Sequence, residues 1–477
     1  MSLDSPTYLT SLQNNIRARP IPWDGAVRAG NITDEQLKRI RAVDKVRKEQ
    51  RQKTVEADLA AYTTLLAGGS SGKSILESAS RRTDIIQYIL VLAADLINDV
   101  ASLKTALAQD QGSYRHFLPL LRHSTNPEDP IPLLTSSFLT NLISASLLVS
   151  RKTGAKDDEA LPRLFSYLAT LTKSTDTGLQ DIGVQAYSEL LRTTRSRELF
   201  WNQRSTTLQP LVDILRAAAG SGKDNGSTTL GGSSIRTADL KIGGGVGIQL
   251  LYHVLIVIWE LSFEGALVGN QLESEYEIIA LYTHLLRISP KEKTTRLVVY
   301  TLSNILSANK ASLLPAAIFN GLPALLGTME ARHYVDDDLL EAMSTLSEML
   351  AEYTRTQTTF DTYAAEVLSG HLRWSPAHTN AAFWRDNARR ILEAEGGQLP
   401  KQLAAILAQN WEGDKQVLAI ACHDVGCLVK AAPEQRAALE KLGLKARVMA
   451  LMADGDEAVR WESLRAVGEW LRYTFET

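Results

Sequence analysis

The chain has two cysteines in 477 residues, Cys422 and Cys427. That is too few for a disulfide framework and suits a reducing compartment. Their spacing of five puts them on different faces of a helix, so together with His423 they are not read as a metal site. Charge of one sign is missing too: 51 Lys and Arg stand against 54 Asp and Glu, a net charge of −3. Such a balance gives no reason to expect nucleic acid or an anionic membrane as the main partner. The most hydrophobic stretch is short for a membrane span, which needs about 20 residues. The most apolar stretch, IQLLYHVLIVIWELSF at 248–263, is interrupted by His253 and Glu260 and reads as a buried helix. Gln249, His253 and Glu260 fall on one narrow stripe of it. MSLDSPTYLT at the start lacks the apolar core of a signal peptide. No window alternates at the period of two that a half-exposed strand shows, so the class is all-α.

What is present is helical periodicity. Between 34 and 67, Leu37, Ile40, Val43 and Val46 form an apolar stripe opposed by Lys and Arg, with Asp44–Lys48 and Glu49–Lys53 as i,i+4 pairs on a solvated face. Further helical segments fill the chain to 216. Then 217–245, AAAGSGKDNGSTTLGGSSIRTADLKIGGG, has almost nothing to bury and reads as a flexible insertion whose ends rejoin the same layer. The polar stretch EYTRTQTTFD at 352–361 lacks a sustained apolar stripe and is the best candidate linker. A repeat is visible: GLPALLGTMEARHYVDDDLLEAMSTLSEML at 321–350 and GLKARVMALMADGDEAVRWESLRAVGEWL at 443–471 share a plan of glycine, short helix, acidic turn and longer helix. In the second copy Val459, Leu464 and Val467 are expected to face inward. The plan resembles armadillo or HEAT repeats, in which a repeat buries its apolar face only against its neighbours.

Candidate chemistry is scarce. AGGSSGKS at 67–74 satisfies a relaxed phosphate-loop pattern, but such a loop needs a strand before it and a helix after it, and here a helix precedes it. A glycine pair ending that helix explains the same letters. GSGK at 220–223 and GGGVG at 243–247 read as loop. The eight histidines are dispersed, without HExxH or a pair at metal spacing. No cofactor, metal or catalytic group is assigned, and a solenoid without an evident site reads as a binding scaffold rather than an enzyme.

The most distinctive stretch is HLRWSPAHTNAAFWRDNA, 371–388. Ser375 followed by Pro376 reads as an N-cap with proline at the first helical position, and Thr379 or Asn380 as the cap of a further helix carrying Phe383 and Trp384. Trp374 and Trp384 then either anchor a joint between two bodies or fill local core. Here the letters resemble the signature of the H subunit of the vacuolar-type (V-type) proton-translocating ATPase, W-S-P-x-H followed by F-W and N. Trp374, Ser375, Pro376, His378, Phe383, Trp384 and Asn387 carry the match and are the interdomain or interaction candidates. Tyr252, His253, Ile258 and Trp259 are similar to another helix of the family, and Lys291, Glu292, Lys293 and Arg296 to the start of its next one. Weaker matches lie around Trp23 and at His423, Asp424, Val459, Arg460 and Leu464.

The resemblance implies a helical-repeat solenoid in two domains: 1–353, a linker at 354–361, and 362–477. It further implies a non-catalytic regulatory and structural subunit. Its partners would be the E and G subunits of the peripheral stalk, the cytosolic part of the membrane sector's a subunit, and the soluble catalytic sector. It would sit peripherally on the cytoplasmic face of the vacuolar or another acidic-organelle membrane, held there only through those partners. Coupled ATP hydrolysis and proton transport would need it, and the released soluble sector would be inhibited by it. The other reading is a cytosolic armadillo-type adaptor for extended peptides, although the regular inner Trp and Asn array of such receptors is not visible.

Overall fold

The computed structural model describes residues 7–69, 72–150, 154–220, 246–289, 291–357, 359–409, 411 and 414–472. Among them every regular element is a helix, apart from isolated bridge residues such as Gly69 and Gly72. The fold is therefore the all-α stack that the periodicity predicts. Contacts divide the chain into two compact units, Met1–Ala308 and Asn309–Thr477. This contact boundary and the compositional one at 353/354 mark different things, because in a solenoid each repeat touches only its neighbours and contact density changes little along the stack.

In the first unit Thr83–Asp99, Pro130–Ser150, Thr177–Leu190, Ile248–Ser262 and Glu292–Ala308 pack in sequence order, each against the next. Side chains bridge most steps of this ladder: Asn141 Nδ2 donates to Asn98 Oδ1 at 2.7 Å, and Asn304 Nδ2 donates to Ser262 Oγ at 2.8 Å. Thr177–Leu190 approaches Ala155–Thr172 so closely that a Cβ on Gly183 would lie 2.9 Å from Thr172 Cγ2 and 3.1 Å from the Leu168 carbonyl oxygen, so the crossing requires glycine. The described residues hold one helix long and apolar enough to cross a membrane, Pro130–Leu148, and 78% of it is buried inside the fold.

The stretch 34–67 is three helices rather than one, Asp34–Val43, Lys48–Ala57 and Leu59–Ala67. Leu37, Ile40 and Val43 are buried as predicted. The Asp44–Lys48 pair is corrected, because the chain leaves the helix at Asp44 (ψ 131°) and loses the i,i+4 geometry. Asp44 instead accepts from Tyr88 Oη at 2.7 Å, and Lys48 lies 3.7 Å from Asp99. Residues 217 and 218 end the Gln209–Ala218 helix, and most of the glycine-serine insertion, 221–245, lies outside the described residues.

In the second unit both repeat copies follow the expected plan. Gly321 (φ 73°) heads Leu322–Glu330 ahead of Asp337–Gln357, and Gly443 (φ 77°) heads Leu444–Leu451 ahead of Glu457–Arg472. The left-handed conformation at both glycines is the reason the plan starts with that residue. The candidate linker is mostly helical: Asp337–Gln357 runs through its first half and Phe360–Ser369 starts in its second. Polarity there marks exposure rather than loss of helix. In Glu457–Arg472, Val459 and Val467 are buried but Leu464 is 49% exposed. Five residues from Val459 turn the helix by about 500°, which places Leu464 about 140° round from Val459, beyond the edge of the buried face at Val467.

Candidate functional site

The 374–387 segment is organised around one histidine. Thr359 Oγ1 accepts from the Thr362 amide at 3.2 Å and starts Phe360–Ser369, which Gly370 (φ 75°) ends. Tyr363 and Glu366, three residues apart, lie on one face of it. Ser375 is the N-cap of the short Pro376–Thr379 helix, with Pro376 at its start, but its hydroxyl makes no capping bond. Asn380 caps the next helix, Ala381–Glu393, its Oδ1 accepting from the amides of Ala382 at 2.9 Å and Phe383 at 3.2 Å. These two starts fix His378, Phe383 and Trp384 against Lys415–Ala431, which carries His423, Asp424 and Cys427. That helix is pressed against Glu457–Arg472, where a Cβ on Gly426 would lie 3.1 Å from Ala466 Cα.

His378 is completely buried and sits between two carboxylates. Its Nδ1 is 2.7 Å from Asp424 Oδ1, and its Nε2 is 3.2 Å from Glu366 Oε1. Ionised carboxylates only accept, so with Asp424 and Glu366 both ionised both ring nitrogens donate and the imidazole is a cation. Burial alone would lower its pKa, but the charge of Asp424 and its hydrogen bond, then those of Glu366, outweigh burial and push it up to about 10. Burial likewise opposes ionisation of Asp424 and Glu366, and contact with the His378 cation overcomes this and holds both below their ordinary values. Tyr363 Oη donates to Asp424 at 3.2 Å, and the Arg373 amide donates to Glu366 at 2.6 Å. Trp384 Nε1 donates to the His378 carbonyl at 2.9 Å. Trp374 stands edge-on to His378 and His423, with ring centres 6.3 Å and 5.1 Å away.

The structure thus brings Trp374, His378, Phe383 and Trp384 into one cluster, with Ser375 and Pro376 forming the turn that delivers His378. Asn387 stays apart, its Nδ2 donating to the Phe383 carbonyl one turn back at 3.0 Å. Sequence reasoning missed Tyr363 and Glu366, and it noted Asp424 only through resemblance. No spacing rule connects residues that meet across 12 to 61 positions.

A cavity of about 400 Å³ opens beside the cluster, lined among others by His378, Trp384, His423, Cys427, Lys430 and Arg465. Its chemistry is quiet. Burial pushes the Cys427 and Cys422 thiols up to about 12, so both stay protonated at neutral pH. His378 has no lone pair left to take a substrate proton. Among the described residues no group of three or more His, Cys, Asp or Glu could hold a metal ion.

Elsewhere, the stripe read from 248–263 faces Thr177–Leu190. His253 Nδ1 lies 2.5 Å from Asp181 Oδ1, and Glu260 accepts from Ser188 Oγ at 3.3 Å. Burial pushes the Glu260 carboxyl up to about 8. Gln249 is exposed. The AGGSSGKS loop follows the Leu59–Ala67 helix and leads into the four-residue Ile75–Ser78, capped by Ser74, and its Ser70 and Ser71 lie outside the described residues. A strand–loop–helix phosphate cradle is not formed there.

Two family models, both describing the H subunit of the V-ATPase, match the chain, the N-terminal one over residues 7–350 and the C-terminal one over 356–475. The chain belongs to the V-ATPase H-subunit family. It is 28% identical over 480 residues to the V-type proton ATPase H subunit of Drosophila melanogaster, covering 97% of this chain and 89% of that protein. With its counterpart from Dictyostelium discoideum it shares 27% identity, over 89% of this chain and 86% of the relative. A probable H subunit of the Caenorhabditis elegans V-type proton ATPase is 35% identical over 230 residues, 46% of this chain and 49% of that one. Among solved structures the chain is similar to the designed armadillo repeat protein YIII(Dq)4CqI, 13% identical over 66% of this chain and 98% of that one, with a TM-score of 0.37. The family's two models meet between 350 and 356, at the polar stretch that composition singles out.

Proposed function

We propose that this chain is a regulatory and structural subunit of the vacuolar proton pump. It would bridge the peripheral stalk of the soluble sector, built of the E and G subunits, to the cytosolic part of the membrane sector's a subunit, and so sit peripherally on the cytoplasmic face of an acidic-organelle membrane. The observation that carries this is the span of the two family models, which together account for nearly all of the chain. In this reading the repeat ladder of the first unit is the fixed mount and the region after 361 is the switch that silences the released soluble sector.

A bend between mount and switch has two candidate places. One is the break between Gln357 and Phe360 within the proposed linker at 354–361, where two helices abut. The other is the 308/309 division between compact units. Distances between paired labels across each break, in the assembled pump and in the free soluble sector, discriminate them. A change across neither removes the switching element from the proposal.

The functional test is to add the full chain to a pump depleted of its own H subunit. Restored ATP hydrolysis and acidification, with inhibition of the isolated soluble sector, is expected. An inert chain in both assays, with capture of transport cargo instead, favours the adaptor reading.

A further inference from the structure

The last described helix, Glu457–Arg472, has two apolar faces and buries only one. Val459, Ser463, Ala466, Val467 and Trp470 turn inward against Lys415–Ala431 and Leu444–Leu451. The other face carries Trp461 at 66% exposure and Leu464 and Leu471 at 49% each. Isolated exposed leucines are ordinary, but a tryptophan aligned with two leucines along one helix is an apolar patch of the kind that marks an interaction site.

The spacing says what shape the patch fits. Trp461, Leu464, Gly468 and Leu471 recur at three, four and three, the a/d alternation of a coiled-coil seam, over about 15 Å of helix. Gly468 has nothing within 4 Å of where a Cβ would stand, so it leaves a hole in the seam that a knob from a facing helix can enter. The border is basic. Arg465 and Arg472 occupy successive e positions, with side chains 56% and 59% exposed, and Arg460 occupies the g position at the other end. Arg465 and Arg472 are each held by a glutamate three residues earlier, at 3.2 Å and 3.6 Å. A guanidinium has five N–H donors, more than one carboxylate uses, so these heads are oriented without being saturated.

We infer that the 461–471 face docks one α-helix of a partner protein, a helix with an apolar a/d seam and acidic residues at its flanking positions. Trp461 at the head of the seam would anchor it, and the arginine border would select the acidic flanks and set the register. This adds a surface to the proposed function without depending on it.

The test uses the full chain and a fluorescently labelled helical peptide about four heptads long with leucine at a and d and glutamate at e and g, beside a lysine-flanked twin. Binding read by anisotropy should favour the glutamate peptide. Trp461→Ala should weaken it by about tenfold or more without lowering the melting temperature. Arg465→Glu with Arg472→Glu should reverse the preference toward the lysine twin. Equal binding of the twins, absence of binding by both, or indifference to Trp461→Ala overturns the inference. So does a concentration-dependent dimer of the chain that Trp461→Ala abolishes in sedimentation, which assigns the face to a second copy. Binding to neutral phosphatidylcholine vesicles that is lost in the same variant assigns it to lipid and also overturns the inference. Because the pump is absent from these assays, their failure leaves the reconstitution result untouched.

Discussion

Each compact unit contains a buried histidine paired with an aspartate, and the two pairs are built differently. In the first unit His253 meets Asp181 at 2.5 Å across two ladder helices, and Asp181 also accepts from Gln185 at 2.9 Å within its own helix and keeps 19% exposure. In the second unit Asp424 and the His378 side chain are completely enclosed, and Glu366 and Tyr363 complete the set. The first pair is a rung that water can reach from one side. The second is a knot tying three helices and a turn together around a His378–Asp424 pair with no exposed side-chain surface, only the outer Glu366 keeping 15% exposure. A repeat ladder spreads its stability over many equivalent interfaces, whereas the knot concentrates it, so damage to the two should be felt differently.

The largest expected effect is at the knot. His378→Ala leaves Asp424 and Glu366 without their cation and should destabilise the second unit by about 3 to 5 kcal/mol, read as an early transition in calorimetry of the full chain. Loss comparable to that of an exposed substitution contradicts the charge assignment. pH should expose the same knot. His378 is raised from an ordinary 6.5 to about 10, so its contribution is complete below 6.5 and is lost as pH rises toward 10. Asp424 and Glu366 are held low, so theirs is complete above the ordinary carboxylate range and lost as pH falls through their lowered values. The second unit should therefore melt highest between the carboxylate range and 6.5, and Asp424→Asn should flatten the alkaline limb. An alkaline limb unchanged in that variant counts against the pairing.

At the rung the effect should be smaller. His253→Gln is expected to cost about 1 to 3 kcal/mol, confined to the first unit, because Asp181 retains Gln185 and solvent. A cost equal to that of His378→Ala erases the distinction between the two. Smallest of all is Trp461→Ala, which should shift stability by about 0.5 kcal/mol or less because the ring is mostly exposed. A larger loss means that the ring packs against something in the folded chain.

Much of this was legible in the sequence. Periodicity predicted the stacked helices, and the glycines at 321 and 443 announced a repeat because only a residue tolerant of positive φ starts those helices. Asn380 and the Ser375–Pro376 turn were readable as helix starts from local chemistry. Misreadings came where a local rule was extended past its element. An Asp44–Lys48 pair requires the helix to run on, but it ends at Asp44, and hydrophobicity alone predicts an inward Leu464 although its angle around the helix points outward. The knot itself was hidden because Tyr363, Glu366 and Asp424 reach His378 only through the packing of separate helices.

Whether the 374–387 segment is packing or contact surface is decided by one paired measurement on Trp384→Ala: the melting of the second unit, and inhibition of the free soluble sector per folded molecule. The buried ring with its bond to the His378 carbonyl predicts a loss of about 3 to 5 kcal/mol with inhibition intact in the molecules that remain folded. A variant that melts like the parent yet no longer inhibits would contradict it.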